Sequence, residues 1–213
     1  MKALLLKDFY NLSRSGRLYL IVLLMYGILS YVNGGFMMLV ITAVLCLTIP
    51  MMALGYDEKD HWDALCLTMP MTPLTIVLEK YVLTLICCAL GLLIGGGGGW
   101  ILGQLGDHAP SEGSLATMAA LLLIMLAYNA VTLPVNLRLG VERGRFAGIL
   151  LLMIPFMAIV LLERQGMLSP LSSQILTAWF SNGAGLLGAA AGGLLLMAVS
   201  FRISLGIYRK KEW

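Results

Sequence analysis

The chain of 213 residues is 60% hydrophobic and 12% charged, and its formal net charge is +3 at pH 7. Soluble domains carry about 25% charged residues, and one core of this size cannot bury so much apolar surface. The composition therefore excludes an ordinary soluble protein. The apolar runs are apolar on all sides, without the two-residue alternation of a membrane β-barrel, so we predict an all-α polytopic membrane protein.

The first element in chain order is an N-terminal stretch, residues 1–17, in which apolar and polar residues alternate at helical spacing. The apolar positions are Leu4, Leu5, Phe9 and Leu12, and the polar positions between them are Lys7, Asp8 and Asn11. This pattern predicts an amphipathic helix that lies on the inner membrane surface before the first span.

Six membrane spans follow from the intervals that contain no Asp, Glu, Lys or Arg. A helix needs about 20 mostly apolar residues to cross the hydrocarbon. The first charge-free interval, Leu18–Tyr56, therefore holds two crossings, which are separated by a tight turn at Asn33-Gly34-Gly35. Thr72 as N-cap and Pro73 at the first helical position mark the start of the third span. We predict one domain, residues 1–213, with spans at residues 18–32, 36–55, 73–104, 115–137, 146–162 and 183–203.

The basic residues lie almost entirely on one side of this six-span arrangement. Of the 14 Lys and Arg residues, all but Arg164 fall on one side: before span one, beside the segment between spans two and three, between spans four and five, or at and after the end of span six. The positive-inside rule makes that side cytoplasmic, so we expect a multi-pass plasma-membrane protein with both termini in the cytoplasm. The outer segment 163–182 either stays at the surface or re-enters the membrane.

Residue types that carry enzyme chemistry are scarce. The two His and four Cys residues have no metal-ligand spacing, and the chain has no nucleophile-elbow motif. The five glycines Gly95–Gly99 are not followed by Lys-Ser/Thr, so they are no phosphate-binding loop. We expect them, like the small residues of Gly183–Gly193, to let helices approach closely. No catalytic activity, metal or cofactor is expected of this chain.

No charged residue lies at mid-membrane depth in a predicted span. Proton-driven carriers usually keep such a group, so its absence argues against proton coupling, while sodium coupling through backbone carbonyls stays open. Energy for active transport would otherwise enter through a partner protein.

The segment 56–72, between spans two and three, is acidic on a side that is otherwise basic. Its charged and aromatic residues are Asp57, Glu58, Lys59, Asp60, His61, Trp62 and Asp63. A short amphipathic helix here would present a Trp and carboxylates to a protein partner. The alternative is a solvated loop whose Trp rests at the lipid interface.

Span four carries a proline among polar residues. Pro134 frees a backbone carbonyl and bends the span, and Asn129, Thr132 and Asn136 cluster around it at helical spacing. These side chains either satisfy the broken backbone or line a substrate path near its cytoplasmic mouth.

Two stretches of the chain resemble the permease subunits of type 2 ABC exporters (ABC-2). The first stretch is made of Glu58, Lys59, Trp62, Leu65, Leu67, Pro70, Ile76, Val77, Lys80 and Tyr81, and the second of Pro134, Arg138, Gly140, Glu142, Arg143, Gly144 and Arg145. The resemblance is closest to the small stand-alone permeases that export antimicrobial or cytolytic amphipathic peptides, such as the exporters of phenol-soluble modulins.

The resemblance implies a function and its partners. The segment 56–72 would be the coupling segment that docks into a cytoplasmic ABC ATPase, which holds ATP and Mg²⁺, and Arg138, Glu142, Arg143 and Arg145 would form a second cytoplasmic loop. Two permease copies, identical or different, would enclose the conduit in a bacterial plasma membrane. Amphipathic or hydrophobic peptides would be the substrate, and nucleic acid is not an expected partner.

Two other classes of function stay open on the residues alone. One is a membrane scaffold or assembly protein, in which the segment 56–72 binds some other protein. The other is an ion-coupled carrier that works without an ATPase.

Overall fold

The computed structural model of the chain describes residues 2–32, 36–60, 62, 72–105, 114–164 and 183–210. All regular elements within these ranges are helical. The helices are α1 (Lys2–Val32), α2 (Phe36–Lys59), α3 (Pro73–Leu92), a π-helical turn (Leu93–Gly97), α4 (Gly98–Leu105), α5 (Ser114–Leu139), α6 (Val141–Arg164) and α7 (Gly183–Lys210). The all-helical prediction is therefore confirmed for the described residues.

Four of these helical segments are long and apolar enough to cross a membrane: Met38–Lys59, Pro73–Leu102, Thr117–Leu139 and Leu187–Arg209. A fifth candidate is α1, which bends by 63° between Leu4–Ser13 and Gly16–Tyr31. The chain is thus a multi-pass membrane protein with four or five candidate spans among the described residues. Six spans and the orientation of the termini remain predictions, as does re-entry by 163–182, most of which lies outside the described residues.

Helix α3 begins at the predicted residue. Pro73 occupies its first turn, where a missing N–H costs nothing, and Thr72 precedes it in an extended conformation. The Thr72 side chain makes no capping hydrogen bond and instead lies 2.8 Å from Thr75 Oγ1. Beyond Leu92 the helix widens into the π turn and continues as α4, so one long element forms the predicted third span.

The core lies where α2, α3, α5 and α7 meet, and α5 packs against α7 more extensively than any other pair of elements. Its fully enclosed residues include Val77, Met125 and Leu133. Many large apolar side chains on the outer faces are exposed within the chain, among them Leu20, Ile28 and Leu195. Because water would penalise such surfaces, this inside-to-outside distribution fits a lipid environment.

Glycines bring α3 and the π turn against α2. A Cβ atom on Gly91 would overlap Cys46 Sγ, and one on Gly95 would overlap Thr42 Oγ1 and lie 3.2 Å from Leu39 Cα. The predicted packing role is confirmed for Gly95, and likewise for Gly193, which approaches Leu126 of α5. It does not extend to every glycine, because a Cβ on Gly97 would meet no atom of the described residues within 4 Å.

Gly95 and Gly97 therefore offer a matched pair of substitutions within one π turn. Gly95→Ala is expected to destabilise the protein by about 1–3 kcal/mol, since α2 must move to admit the methyl group. Gly97→Ala adds the same methyl group in open space and is expected to be neutral or slightly stabilising. Thermal unfolding of the two purified variants in the same detergent measures the difference, and equal melting temperatures would contradict the packing role.

Candidate functional site

Charged side chains from three helices meet at one end of the bundle. Lys7 and Asp8 come from the first turns of α1, Asp57 from the last turn of α2, and Lys80 from the second turn of α3. The same end holds the junction of α5 and α6 at Gly140. We call this region the charged end, and it is the side predicted to face the cytoplasm.

Two lysines and two aspartates form a closed ring of ion pairs. Lys80 Nζ lies 2.6 Å from Asp8 Oδ2 and 2.5 Å from Asp57 Oδ2. Lys7 Nζ lies 2.5 Å from Asp57 Oδ1 and 3.1 Å from Asp8 Oδ1. Each carboxylate thus faces both ammonium groups, one oxygen to each. We call these four residues the ion-pair ring.

The ion-pair ring is buried. Asp8 is 1%, Lys80 4% and Asp57 6% exposed, and the Lys7 side chain is 19% exposed. Four charges enclosed in a protein lose most of their hydration, and only their mutual attraction and hydrogen bonds offset that cost. The ring therefore stabilises one arrangement of α1, α2 and α3, because removal of any member leaves an unpaired buried charge.

Trp62 covers the more open side of the ring. The Lys7 ammonium lies 4.3 Å from the centre of the Trp62 ring system, a distance at which a cation is attracted to the aromatic face. Trp62 also packs against the hydrophobic core. The aromatic residue of the predicted coupling segment is thus attached to the bundle through α1.

The predicted coupling residues divide into buried and exposed groups. Asp57 is enclosed in the ion-pair ring, whereas Glu58, Lys59 and Asp60 are exposed. Asp57, Glu58 and Lys59 belong to α2, which continues past the predicted end of span two at residue 55. His61 and Asp63 lie outside the described residues.

Glu58 joins the two predicted cytoplasmic segments. The backbone N–H of Val141, at the start of α6, donates a hydrogen bond of 2.5 Å to Glu58 Oε2. A carboxylate at a helix N-terminus satisfies an unpaired N–H and interacts favourably with the helix dipole. The contact places the end of α2 directly on the first turn of α6.

Gly140 makes this junction possible. Its φ of +81° is a left-handed conformation that disfavours side chains, and a Cβ there would lie only 2.8 Å from Glu58 Oε1. The Gly140 N–H donates to the Asn136 carbonyl, which closes α5. The neighbouring residues Arg138, Glu142, Arg143 and Arg145 are all exposed at this junction.

The polar residues around Pro134 are turned inward, toward their own helix. Asn129 Nδ2 donates to the Met125 carbonyl and Thr132 Oγ1 to the Tyr128 carbonyl, each one turn back along α5. Asn136 Oδ1 is buried with no hydrogen-bond partner among the described residues, and its side chain packs against Gly144 of α6. Both predicted readings of these residues, backbone satisfaction and conduit lining, stay open for Asn136.

The carbonyl that Pro134 frees is satisfied from another helix. A proline removes the hydrogen bond to the carbonyl four residues earlier, which is that of Ala130, and Ser200 Oγ of α7 donates to it. Tyr81 Oη lies 2.6 Å from Ser200 Oγ and 2.7 Å from Ser204 Oγ. Because each hydroxyl has a single proton, the chain of donors runs from Ser204 through Tyr81 and Ser200 to Ala130.

Sequence reasoning missed this hydroxyl chain and most of the ion-pair ring. The sequence did contain a signal for the hydroxyl chain. A proline within a span predicts an unpaired carbonyl four residues earlier, and Ser200 and Ser204 lie one turn apart in an apolar helix. The sequence pattern places Asp8 on the polar face of a surface helix, and Lys80 belongs to the stretch that resembles ABC-2 permeases. Nothing in their local sequence pairs these two residues, which are 72 positions apart.

Next to Lys80, a small cavity of about 70 Å³ lies between Asp57, Asn136 and Tyr208, large enough only for a few water molecules. Within the described ranges, no group of three or more His, Cys, Asp or Glu side chains is placed to hold a metal ion.

Comparison with known proteins extends along almost the whole chain. The family model described as "ABC-2 family transporter protein" matches residues 3–209. Neither the curated proteins nor the solved structures contain a match.

The contribution of the ion-pair ring is measurable with two lysine substitutions. Lys80→Met is expected to destabilise the protein by about 3–5 kcal/mol, because Asp8 and Asp57 are then buried with only Lys7 as a counter-charge. Lys59→Met removes an exposed lysine 21 residues earlier at the same end and is expected to cost less than about 0.5 kcal/mol. Chemical unfolding in a fixed detergent gives both values. A loss for Lys80→Met no larger than that for Lys59→Met would contradict a structural role for the ring.

Proposed function

The chain belongs to the ABC-2 family of transporter proteins, and from this premise we propose that it is the membrane-spanning permease subunit of an ATP-driven exporter. ATP and Mg²⁺ would be bound and used by a separate cytoplasmic ATPase, and this chain would hydrolyse nothing itself. The observation that carries the proposal is the family match over residues 3–209, in a multi-pass helical protein whose two predicted cytoplasmic segments meet at Glu58 and Val141.

The ATPase would dock on the exposed part of the charged end. Glu58, Lys59 and Asp60 are exposed there, and so are the charged residues around the α5–α6 junction, namely Arg138, Glu142, Arg143 and Arg145. Mixed charges at a protein surface give a partner orientation and specificity. Asp57 contributes indirectly, since it anchors this surface to the bundle through the ion-pair ring.

Movement of the docked ATPase would reach the spans along two routes. A displacement of the end of α2 would pull on α6 through the hydrogen bond between Glu58 and Val141. It would also pull on α1 and α3 through the ion pairs of Asp57 with Lys7 and Lys80. Both routes are short and strongly paired, so they would transmit a displacement rather than absorb it.

Two copies of the chain would enclose the substrate path, and the substrate would be an amphipathic or hydrophobic peptide. Asn129 Nδ2 and Thr132 Oγ1 donate hydrogen bonds to carbonyl groups of their own helix. No charged residue lies at mid-membrane depth in a predicted span. A path between two such bundles would suit a cargo with an apolar face better than a small charged solute.

Coupling to an ATPase is testable with the double variant Glu58→Ala/Trp62→Ala. Co-expressed with a candidate P-loop ATPase from the same genome, the wild-type chain is expected to co-purify with that ATPase and to alter its hydrolysis rate. The double variant is expected to lower coupled hydrolysis about tenfold, equivalent to about 1.4 kcal/mol of lost coupling. Gly97→Ala serves as the folded control, because its methyl group enters open space.

Each contrary result selects another function. Unchanged association and hydrolysis in the double variant would contradict the docking site. Transport by the purified chain in liposomes without any ATPase would select the ion-coupled carrier. Failure of any ATPase to associate with the wild-type chain would select the scaffold.

The substrate class has its own test in the reconstituted permease–ATPase complex. An amphipathic helical peptide is expected to stimulate ATP hydrolysis several-fold. A peptide of identical composition, scrambled so that its apolar residues no longer share one helical face, is expected to stimulate it much less. Equal stimulation by both peptides would contradict recognition of an amphipathic face.

A further inference from the structure

One buried carboxyl group at the charged end has no cation of its own. Glu79 of α3 is 0% exposed, and neither of its carboxyl oxygens has a hydrogen-bond partner among the described residues when the group is ionised. The nearest ammonium, Lys80 Nζ, is 3.7 Å from Glu79 Oε1 and already contacts Asp8 and Asp57. An ionised carboxylate so enclosed, without a donor, is strongly disfavoured relative to the neutral acid.

A second buried acceptor without a hydrogen-bond donor belongs to Asp8 of α1. Asp8 Oδ1 is buried and accepts no hydrogen bond from a described donor, although Lys7 Nζ lies 3.1 Å away at an ion-pair distance. The two carboxyl groups lie beside the same ammonium group, because Lys80 Nζ is 2.6 Å from Asp8 Oδ2 and 3.7 Å from Glu79 Oε1. Two acceptors that face each other repel when both are ionised, and one proton held between them turns the repulsion into a hydrogen bond.

The charge balance leads to the same conclusion. The ion-pair ring contains two cations and two anions, so it is neutral without Glu79. Ionised Glu79 would leave one net negative charge buried, whereas protonated Glu79 leaves none. The proton belongs on Glu79 rather than on Asp8. Asp8 has two ammonium groups within 3.1 Å, whereas the nearest ammonium group to Glu79 is 3.7 Å away.

We propose that Glu79 and Asp8 form a proton-binding pair, in which a protonated Glu79 donates a hydrogen bond to the ionised Asp8 at neutral pH. The proton comes from solvent and is the ligand of the site. With it bound, the N-terminal part of α1 stays docked on α3. When it is lost, a third carboxylate competes for Lys80, and the contact between α1 and α3 weakens.

The groups around the pair come from each neighbouring element. Lys7 and Asp8 face it from α1, Lys80 from its own helix, and Asp57 of α2 faces it across Lys80. Asn136 of α5 and Tyr208 of α7 line the small cavity beside Lys80. The opposite charges of the ion-pair ring lie within 3.1 Å of one another, whereas Glu79 is 3.7 Å from its nearest ammonium group, so Glu79 is the carboxyl group that ionises least readily. The proposal does not depend on the transport function.

Infrared spectroscopy of the purified full-length protein in lipid nanodiscs tests the proposal directly. At neutral pH the wild-type protein is expected to show the carbonyl stretch of a protonated carboxylic acid, shifted in D₂O. Glu79→Gln is expected to remove this band, while Glu142→Gln, which changes an exposed carboxylate of α6, leaves it in place. Asp8→Asn is expected to remove the band as well, because Glu79 must then ionise to balance Lys7 and Lys80.

Stability measured against pH gives an independent result. The folded protein would hold one proton more than the unfolded chain, in which a glutamate ionises above about pH 4.3, so stability falls as pH rises. The wild-type melting temperature is expected to fall by several degrees more than that of Glu79→Gln between about pH 6 and about pH 9. Groups elsewhere in the chain contribute equally to both proteins and cancel in this difference.

The opposite outcomes overturn the proposal. Absence of the acid band from the wild-type protein at neutral pH shows that Glu79 is ionised, and this holds even where Glu79→Gln fails to fold. An unchanged band in Asp8→Asn shows that the proton is not shared with Asp8. Parallel melting curves for wild type and Glu79→Gln across the pH range show that no proton is taken up on folding at this site.

Discussion

The ion-pair ring is the interaction on which the arrangement of the charged end depends. Four charges would be costly to enclose singly, but here every carboxylate oxygen of Asp8 and Asp57 has an ammonium group within 3.1 Å. Any movement that separated one member of the ring would leave a buried charge unpaired. The ring therefore fixes the start of α1, the end of α2 and the start of α3 relative to one another.

This constraint changes how the acidic segment after span two is understood. As a sequence it resembles a free loop that presents carboxylates to a partner, yet Asp57 is enclosed and Trp62 lies against Lys7. Glu58 reaches across to the first turn of α6. A partner that docks on the exposed residues would therefore press on a surface already attached to α1, α3 and α6, and this is the property that a coupling surface needs.

The sequence predicted the helical elements well and the site only in part. Helix boundaries such as Pro73 follow from local rules, because a proline at the first helical turn and an apolar run act within a few residues. The residues around Pro134 were recognised as a group, but the donor to the freed carbonyl is Ser200, 70 positions away. No local sequence pattern identifies a hydrogen-bond donor so far away along the chain. The glycine runs show the same division, since a Cβ on Gly95 would overlap Thr42 Oγ1, whereas one on Gly97 would meet no described atom within 4 Å.

The sequence by itself determined that this is an all-helical membrane protein, because hydropathy and helical length are properties of consecutive residues. It also carried the motifs that resemble an ABC-2 permease, and the family match agrees with them. Only the tertiary structure decided which charges are buried, which carboxylate caps α6, and that the buried Glu79 shares Lys80 with Asp8 and Asp57. Those outcomes depend on how helices far apart in sequence pack, and the cost of burying a charge is defined only by its neighbours in space.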